Sequence, residues 1–114
     1  MRLQDMELTS AEEFRAAVRR GRVVVEFYTR WCPDCRRVEG SLTGFADRFA
    51  ERFTLLRVDA EAVAEMAEEY DVRGIPSFLA FEDSQLVDRL YSRDAKTVRQ
   101  VEDYLAGLFH GNAH

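Results

Sequence analysis

Residues Val23-Val24-Val25-Glu26-Phe27-Tyr28 read as a strand without a polar face. β-branched and aromatic side chains suit the pleated backbone. Here they follow one another instead of alternating with polar residues, so both faces of the strand need cover. Helices packed on both sides of a sheet supply it. The chain has 114 residues, enough for one core and too few for two.

The flanking segments provide the helices. Ser10 and Glu13 have capping-box spacing, and a helix is expected over 10–20, burying Phe14, Ala17 and Val18 until Gly21 stops it. A second helix is expected from Pro33 onward, with Val38, Leu42, Phe45, Ala46 and Phe49 on one face. Gly40 and Gly44 lie inside it and should weaken or bend it. Residues 54–58 read as another buried strand and 63–70 as a short helix. Segments 77–81 and 86–91 read as a hairpin turning at Asp83, Ser84 and Gln85. Asp94 is positioned to cap a last helix whose face is Val98, Val101, Leu105 and Leu108. This order predicts an α/β fold, a central mixed sheet of four to five strands with helices on both faces. It predicts a single domain over 1–114, with its core at about 8–108 and a polar tail over 109–114.

The net charge of −5 lacks the basic footprint of a nucleic-acid binder. No segment approaches the ~20 apolar residues of a membrane span, and the first residues do not resemble a secretory signal. A cytoplasmic location and a monomer are therefore expected. The two cysteines, Cys32 and Cys35, stand three positions apart. In a reducing compartment a close pair signals redox catalysis or metal binding more than a structural disulfide. A zinc site needs about four ligands. Only His110 and His114, in the tail, or a second chain could complete one, so no metal is expected.

The segment Tyr28-Thr29-Arg30-Trp31-Cys32-Pro33-Asp34-Cys35-Arg36 joins the buried strand to a helix. Pro33 suits the first helical position. Cys32 then lies at the helix N-terminus with Cys35 one turn on, where the sulfurs can meet. Free amides and the positive end of the helix favour a thiolate at Cys32, the attacking species in disulfide exchange. Asp34 opposes that charge unless it turns away. Two buried, inert thiols are the plainer alternative.

These residues carry a resemblance to the thioredoxin family. Trp31-Cys32 to Cys35 is similar to its W-C-x-x-C site, and Val25-Glu26-Phe27-Tyr28 to the strand before it. Arg57-Val58-Asp59 is similar to the next strand, and Tyr70-Asp71-Val72-Arg73-Gly74-Ile75-Pro76-Ser77 to the segment carrying the family's cis-proline. The Cys-Pro-Asp-Cys form also resembles a subgroup of thioredoxin-related proteins. The resemblance implies a thioredoxin-like fold and a thiol–disulfide oxidoreductase acting mainly as a reductant, with no cofactor besides the redox-active Cys32–Cys35 pair. It implies that Cys32 attacks the substrate disulfide and Cys35 resolves the mixed disulfide. It implies that Glu26 assists proton transfer at Cys35, with Arg57 beside it. Trp31, Gly74, Ile75, Pro76 and Tyr91 would form the substrate surface, and Trp31, Pro33, Asp34, Arg57 and Pro76 would tune the site. The implied partners are disulfide-containing proteins and an external reductant, a thioredoxin reductase or a low-molecular-weight thiol. Glu26 also reads as half of a structural ion pair with Arg57, and Pro76 as an ordinary turn proline.

The chain departs from the family at several positions. Pro33-Asp34 stands where many thioredoxins have Gly-Pro, Gly40 where they often have a kinking proline, and Tyr91-Ser92 where they often have glycine. A bulky Tyr91 is expected to narrow the substrate groove. Glutaredoxins use Cys-Pro-x-Cys, but the paired glycines they carry after the cis-proline are missing here. Arg30, Arg36, Arg37, Arg73 and Arg93 could rim the site and attract acidic substrates, or simply reflect an Arg-rich composition. Two other activities remain open at this level: a non-enzymatic binding module of the same fold, and a metal- or cluster-bridged dimer.

Overall fold

The apolar run becomes the middle of a sheet. In the computed structural model, residues 1–109 are described. The elements are β1 (Glu7–Leu8), α1 (Ala11–Val18), β2 (Arg22–Tyr28), α2 (Pro33–Glu39), α3 (Leu42–Arg48), β3 (Thr54–Asp59), α4 (Ala64–Glu69), β4 (Ser77–Glu82), β5 (Gln85–Leu90) and α5 (Val98–Gly107). The five strands lie in the order β1-β3-β2-β4-β5. β3 runs parallel to both β1 and β2, whereas β4 is antiparallel to β2 and β5 to β4. Strand β2 is thus paired on both edges and covered on both faces, as its composition requires.

Alternation along β2 sorts the layers. Val23, Val25 and Phe27 face a cluster with Phe14 and Val18 of α1 and Met66 of α4. Val24 faces the opposite cluster, with Val38 of α2, Leu42 and Phe45 of α3, and Val101 and Leu105 of α5. Glu26 has the parity of Val24, which places it beneath α2. The sheet register sets it beside Arg57 on β3 and Phe78 on β4.

Four sequence expectations need correction. The single helix expected from Pro33, weakened or bent at Gly40 and Gly44, is two helices, divided at Gly40-Ser41. Gly40 has ordinary helical angles and an added Cβ there meets nothing within 4 Å. The break therefore reflects glycine's weak helix preference beside serine and not a need for space. Helix α1 ends at Val18, short of 20; Gly21 lies in the turn beyond it with φ +74°, a conformation glycine adopts without strain. Asp94 closes a short 3₁₀ turn, Ser92–Asp94, and does not cap α5. Thr97 caps it, its hydroxyl accepting the Gln100 N–H at 3.1 Å while the Gln100 side chain accepts the Thr97 N–H at 3.0 Å. Phe109, expected in a polar tail, packs its ring 6.1 Å from that of Phe53.

The hairpin turns at Asp83 and Ser84, both at positive φ (49° and 71°), and Gln85 already belongs to β5. No helix among the described residues is long and apolar enough to cross a membrane. His110 and His114 lie outside the described residues.

Candidate active site

Strand β2 ends at Tyr28, and Thr29-Arg30-Trp31 carries the chain to α2. Cys32 is the N-cap of that helix, with extended backbone angles, and Pro33 follows it inside the first turn. A serine or aspartate oxygen normally accepts the free amide at such a position. Here the Cys32 sulfur does so, taking the Cys35 N–H at 3.2 Å. The same bond holds the Cys32 sulfur against the backbone of Cys35. Both cysteines are free and buried.

The second wall is the loop before β4. The Ile75–Pro76 peptide is cis, as the resemblance implies and not as an ordinary turn. The Cys32 thiol donates to the Ile75 carbonyl at 3.8 Å, so the cis-proline loop lies directly over the dithiol. The Ser77 hydroxyl donates to the Gly74 carbonyl at 2.6 Å, fixing the loop from within. Gly74 presses against the Ser92 side chain, and a Cβ at 74 would collide with it. Trp31 is 63% exposed beside the cysteines, and its Nε1 donates to Glu61 at 3.0 Å. Tyr91 is exposed and shares a cleft of about 720 Å³ with Gly74, Arg73, Arg89 and Arg93. Its ring lies beneath the Arg89 and Arg93 guanidiniums, 5.7 and 5.3 Å away, and lines this cleft, to which neither cysteine contributes.

Asp34, between the cysteines, does turn away from Cys32. Arg37 donates to it at 2.6 Å and Lys96 at 3.0 Å, and these bonds hold its carboxyl below the ordinary range. Its charge is therefore compensated locally. The other arginines of the expected rim also have nearby partners. Arg36 donates to the Arg30 carbonyl, Arg30 lies 3.8 Å from Asp59, Arg73 is 2.9 Å from Asp71, and Arg93 is 3.8 Å from Asp94. This pairing favours the compositional reading over a basic collar.

Behind Cys35 lies a row of charges across three strands. Glu7 of β1, Arg57 of β3 and Glu26 of β2 are lateral neighbours. Glu26 and Arg57 are buried. Arg57 Nε comes within 3.3 Å of Glu26, and its guanidinium carbon stands 3.7 Å above the Tyr28 ring. The Tyr28 hydroxyl donates to Glu7 at 2.7 Å. Burial pushes the Glu26 carboxyl up to about 7 against the opposing pull of Arg57. Burial likewise pushes the Cys35 thiol well up, reinforced by its neighbour Cys32. Cys35 is thus protonated at neutral pH, with a carboxyl close by that changes charge there. A cleft of about 510 Å³, lined by Cys35, Arg57 and Glu39 among others, opens behind the pair. Among the described residues no group of three or more His, Cys, Asp or Glu is placed to hold a metal ion.

Two contacts at this site are not foreseen in the sequence reading. Glu61 holds Trp31, and Glu39 holds the far end of Arg57 at 3.1 Å. Glu39 follows Cys35 by four residues on one helix, a spacing that places both on the same face. That signal is present in the sequence.

The sequence matches the Thioredoxin family model over residues 5–106. The chain belongs to the thioredoxin family. It is 34% identical over 84 residues to "Thioredoxin-2" of Pyricularia oryzae, covering 73% of this chain and 48% of that one. It is 30% identical to the "Thioredoxin" of Chlamydia trachomatis over 74% of this chain and 81% of that one. This chain thus spans about half the length of the first relative and most of the second. The solved structure of Plasmodium falciparum thioredoxin superposes with a TM-score of 0.80, at 20% identity, over 90% of this chain and 97% of that one. That likeness speaks for the thioredoxin fold.

Proposed function

We propose that this thioredoxin-family chain is a thiol–disulfide oxidoreductase that reduces protein disulfides through Cys32 and Cys35, in a reducing compartment such as the cytoplasm. The observation that carries the reading is the double contact of the Cys32 sulfur. It accepts an amide hydrogen at the start of α2 and faces the Ile75 carbonyl beside the cis-proline. A helix N-terminus is the kind of setting in which nucleophilic cysteines are found. The Ile75–Pro76 backbone offers an edge along which an extended substrate segment can align.

The Cys32 thiolate attacks one sulfur of the substrate disulfide. The substrate's S–S bond breaks, a Cys32–substrate disulfide forms, and one substrate thiolate leaves. Cys35 gives up its proton, for which Glu26 is the acceptor, and attacks the Cys32 sulfur. A Cys32–Cys35 disulfide forms and the second substrate thiolate departs. The substrate has gained two electrons and the dithiol has lost two. A thioredoxin reductase or a low-molecular-weight thiol restores the dithiol, linking the protein to electron transport and redox balance. No cofactor takes part.

The test is insulin reduction with dithiothreitol as electron donor. Wild type should accelerate precipitation of the insulin B chain, and Cys32→Ser should abolish the acceleration. Mixed with insulin in the absence of dithiothreitol, Cys35→Ser should instead accumulate a covalent adduct with substrate, which later addition of dithiothreitol releases. A wild-type rate equal to that of dithiothreitol alone would replace the enzyme reading with a binding module.

A further inference from the structure

Arg57 is held from two sides. Its Nε lies 3.3 Å from Glu26 Oε1, and its Nη1 lies 3.1 Å from Glu39 Oε2. Only the contact with Glu39 is aligned as a hydrogen bond; both Glu26 oxygens lack one. The two carboxylates differ in setting. The Glu26 side chain is fully buried, whereas that of Glu39 is 40% exposed and lines the cleft behind Cys35. A guanidinium can clasp a single carboxylate through two parallel N–H bonds. Here it is shared, and its aligned bond goes to the partner nearer solvent.

We propose that Glu39 is a positioning residue for Glu26: by drawing Arg57 Nη1 toward the cleft it denies Glu26 a paired clasp and leaves that carboxyl free to hold a proton. The consequence for turnover rests on the proposed proton role of Glu26. The effect on Glu26 ionisation does not.

The groups facing Glu26 are few. Arg57 comes from β3, Cys35 and Glu39 from α2, and Glu7 from β1, while β4 contributes the uncharged Phe78. Arg57 favours the charged form of Glu26, and Glu39 and Glu7 oppose it. Glu7 is already engaged by the Tyr28 hydroxyl. Glu39 is the member that can be altered without opening the core, because it is partly exposed.

The experiment is a carbon-13 NMR titration of the Glu26 carboxyl in the reduced protein. In Glu39→Ala, which removes the acceptor of the Nη1 bond, the Arg57 fork is released to Glu26, and the midpoint should fall by about one pH unit. In an Arg57→Met background the same Glu39→Ala change should move the midpoint by less than half as much. An unchanged midpoint in Glu39→Ala overturns the proposal. So does a shift of equal size with and without Arg57, which would assign the effect to the bare charge of Glu39. A shifted midpoint combined with mixed-disulfide release that is indifferent to Glu26→Gln would sustain the positioning and remove the proton role.

Discussion

Glu26 occupies a position where a charge is costly to keep. Val25 and Phe27 flank it, Phe78 lies across from it, and its carboxyl reaches no well-aligned donor. A carboxyl raised to about 7 gives and takes protons near neutral pH, the condition under which general acid–base catalysis works best. Glu26→Gln should therefore slow resolution of a Cys32 mixed disulfide by about a hundredfold, while leaving the first attack by Cys32 nearly unchanged. Stopped-flow measurement of the two steps over pH 6 to 9 checks this. Equal resolution rates would leave Glu26 as the structural half of an ion pair with Arg57. The placing of Cys32, Cys35 and Trp31 together is legible in the sequence because they are adjacent within a short segment, and the cis bond at Pro76 is legible through the family resemblance of residues 70–77. Glu61 is not legible, because its contact with Trp31 forms only on folding, and for Glu39 the sequence shows the helix face shared with Cys35 but not the contact with Arg57.

At the scale of elements, the strands are read more surely than the helix ends. The apolar run of β2 has only one compatible environment, whereas Gly40 is tolerated in several. The division between α2 and α3 depends on a small difference in backbone preference that tertiary packing decides. Strand β1, two residues long, has no periodicity to detect and exists because β3 offers it an edge. The Thr97–Gln100 capping box is present in the sequence, yet Asp94 competes with it as a plausible cap three residues earlier. Gly44 gives a direct test of how marginal α3 is. It sits exposed within α3, and an added Cβ meets nothing within 4 Å. Gly44→Ala should stabilise the protein by roughly 0.5–1 kcal/mol, through lower backbone freedom in the unfolded chain. A higher urea midpoint at constant slope would support this, and a lower one would mean that α3 requires the glycine.

For the whole molecule, the raised carboxyl makes stability depend on pH in an unusual direction. The folded protein keeps the Glu26 proton up to about pH 7, whereas the group's ordinary value is 4.5. Between those values the unfolded chain binds fewer protons than the folded one, so stability falls as pH rises through this window. The loss attributable to Glu26 is about 3 kcal/mol. Reduced wild type should therefore lose stability between pH 5 and 8, and Glu26→Gln should lose much less and be the more stable protein at pH 8. Chemical denaturation of both at the two pH values checks this; parallel behaviour would mean that Glu26 ionises freely in the fold. Because Cys32 is both the helix cap and the proposed attacking thiol, folding and redox share one thermodynamic cycle. Whatever the α2 amide bond contributes to the free Cys32 sulfur is altered when that sulfur is tied into a disulfide. The gap in unfolding free energy between the dithiol and disulfide forms must then equal the gap in reduction free energy between the folded and unfolded chain, so a calorimeter can read how far folding shifts the dithiol's potential without an electrode.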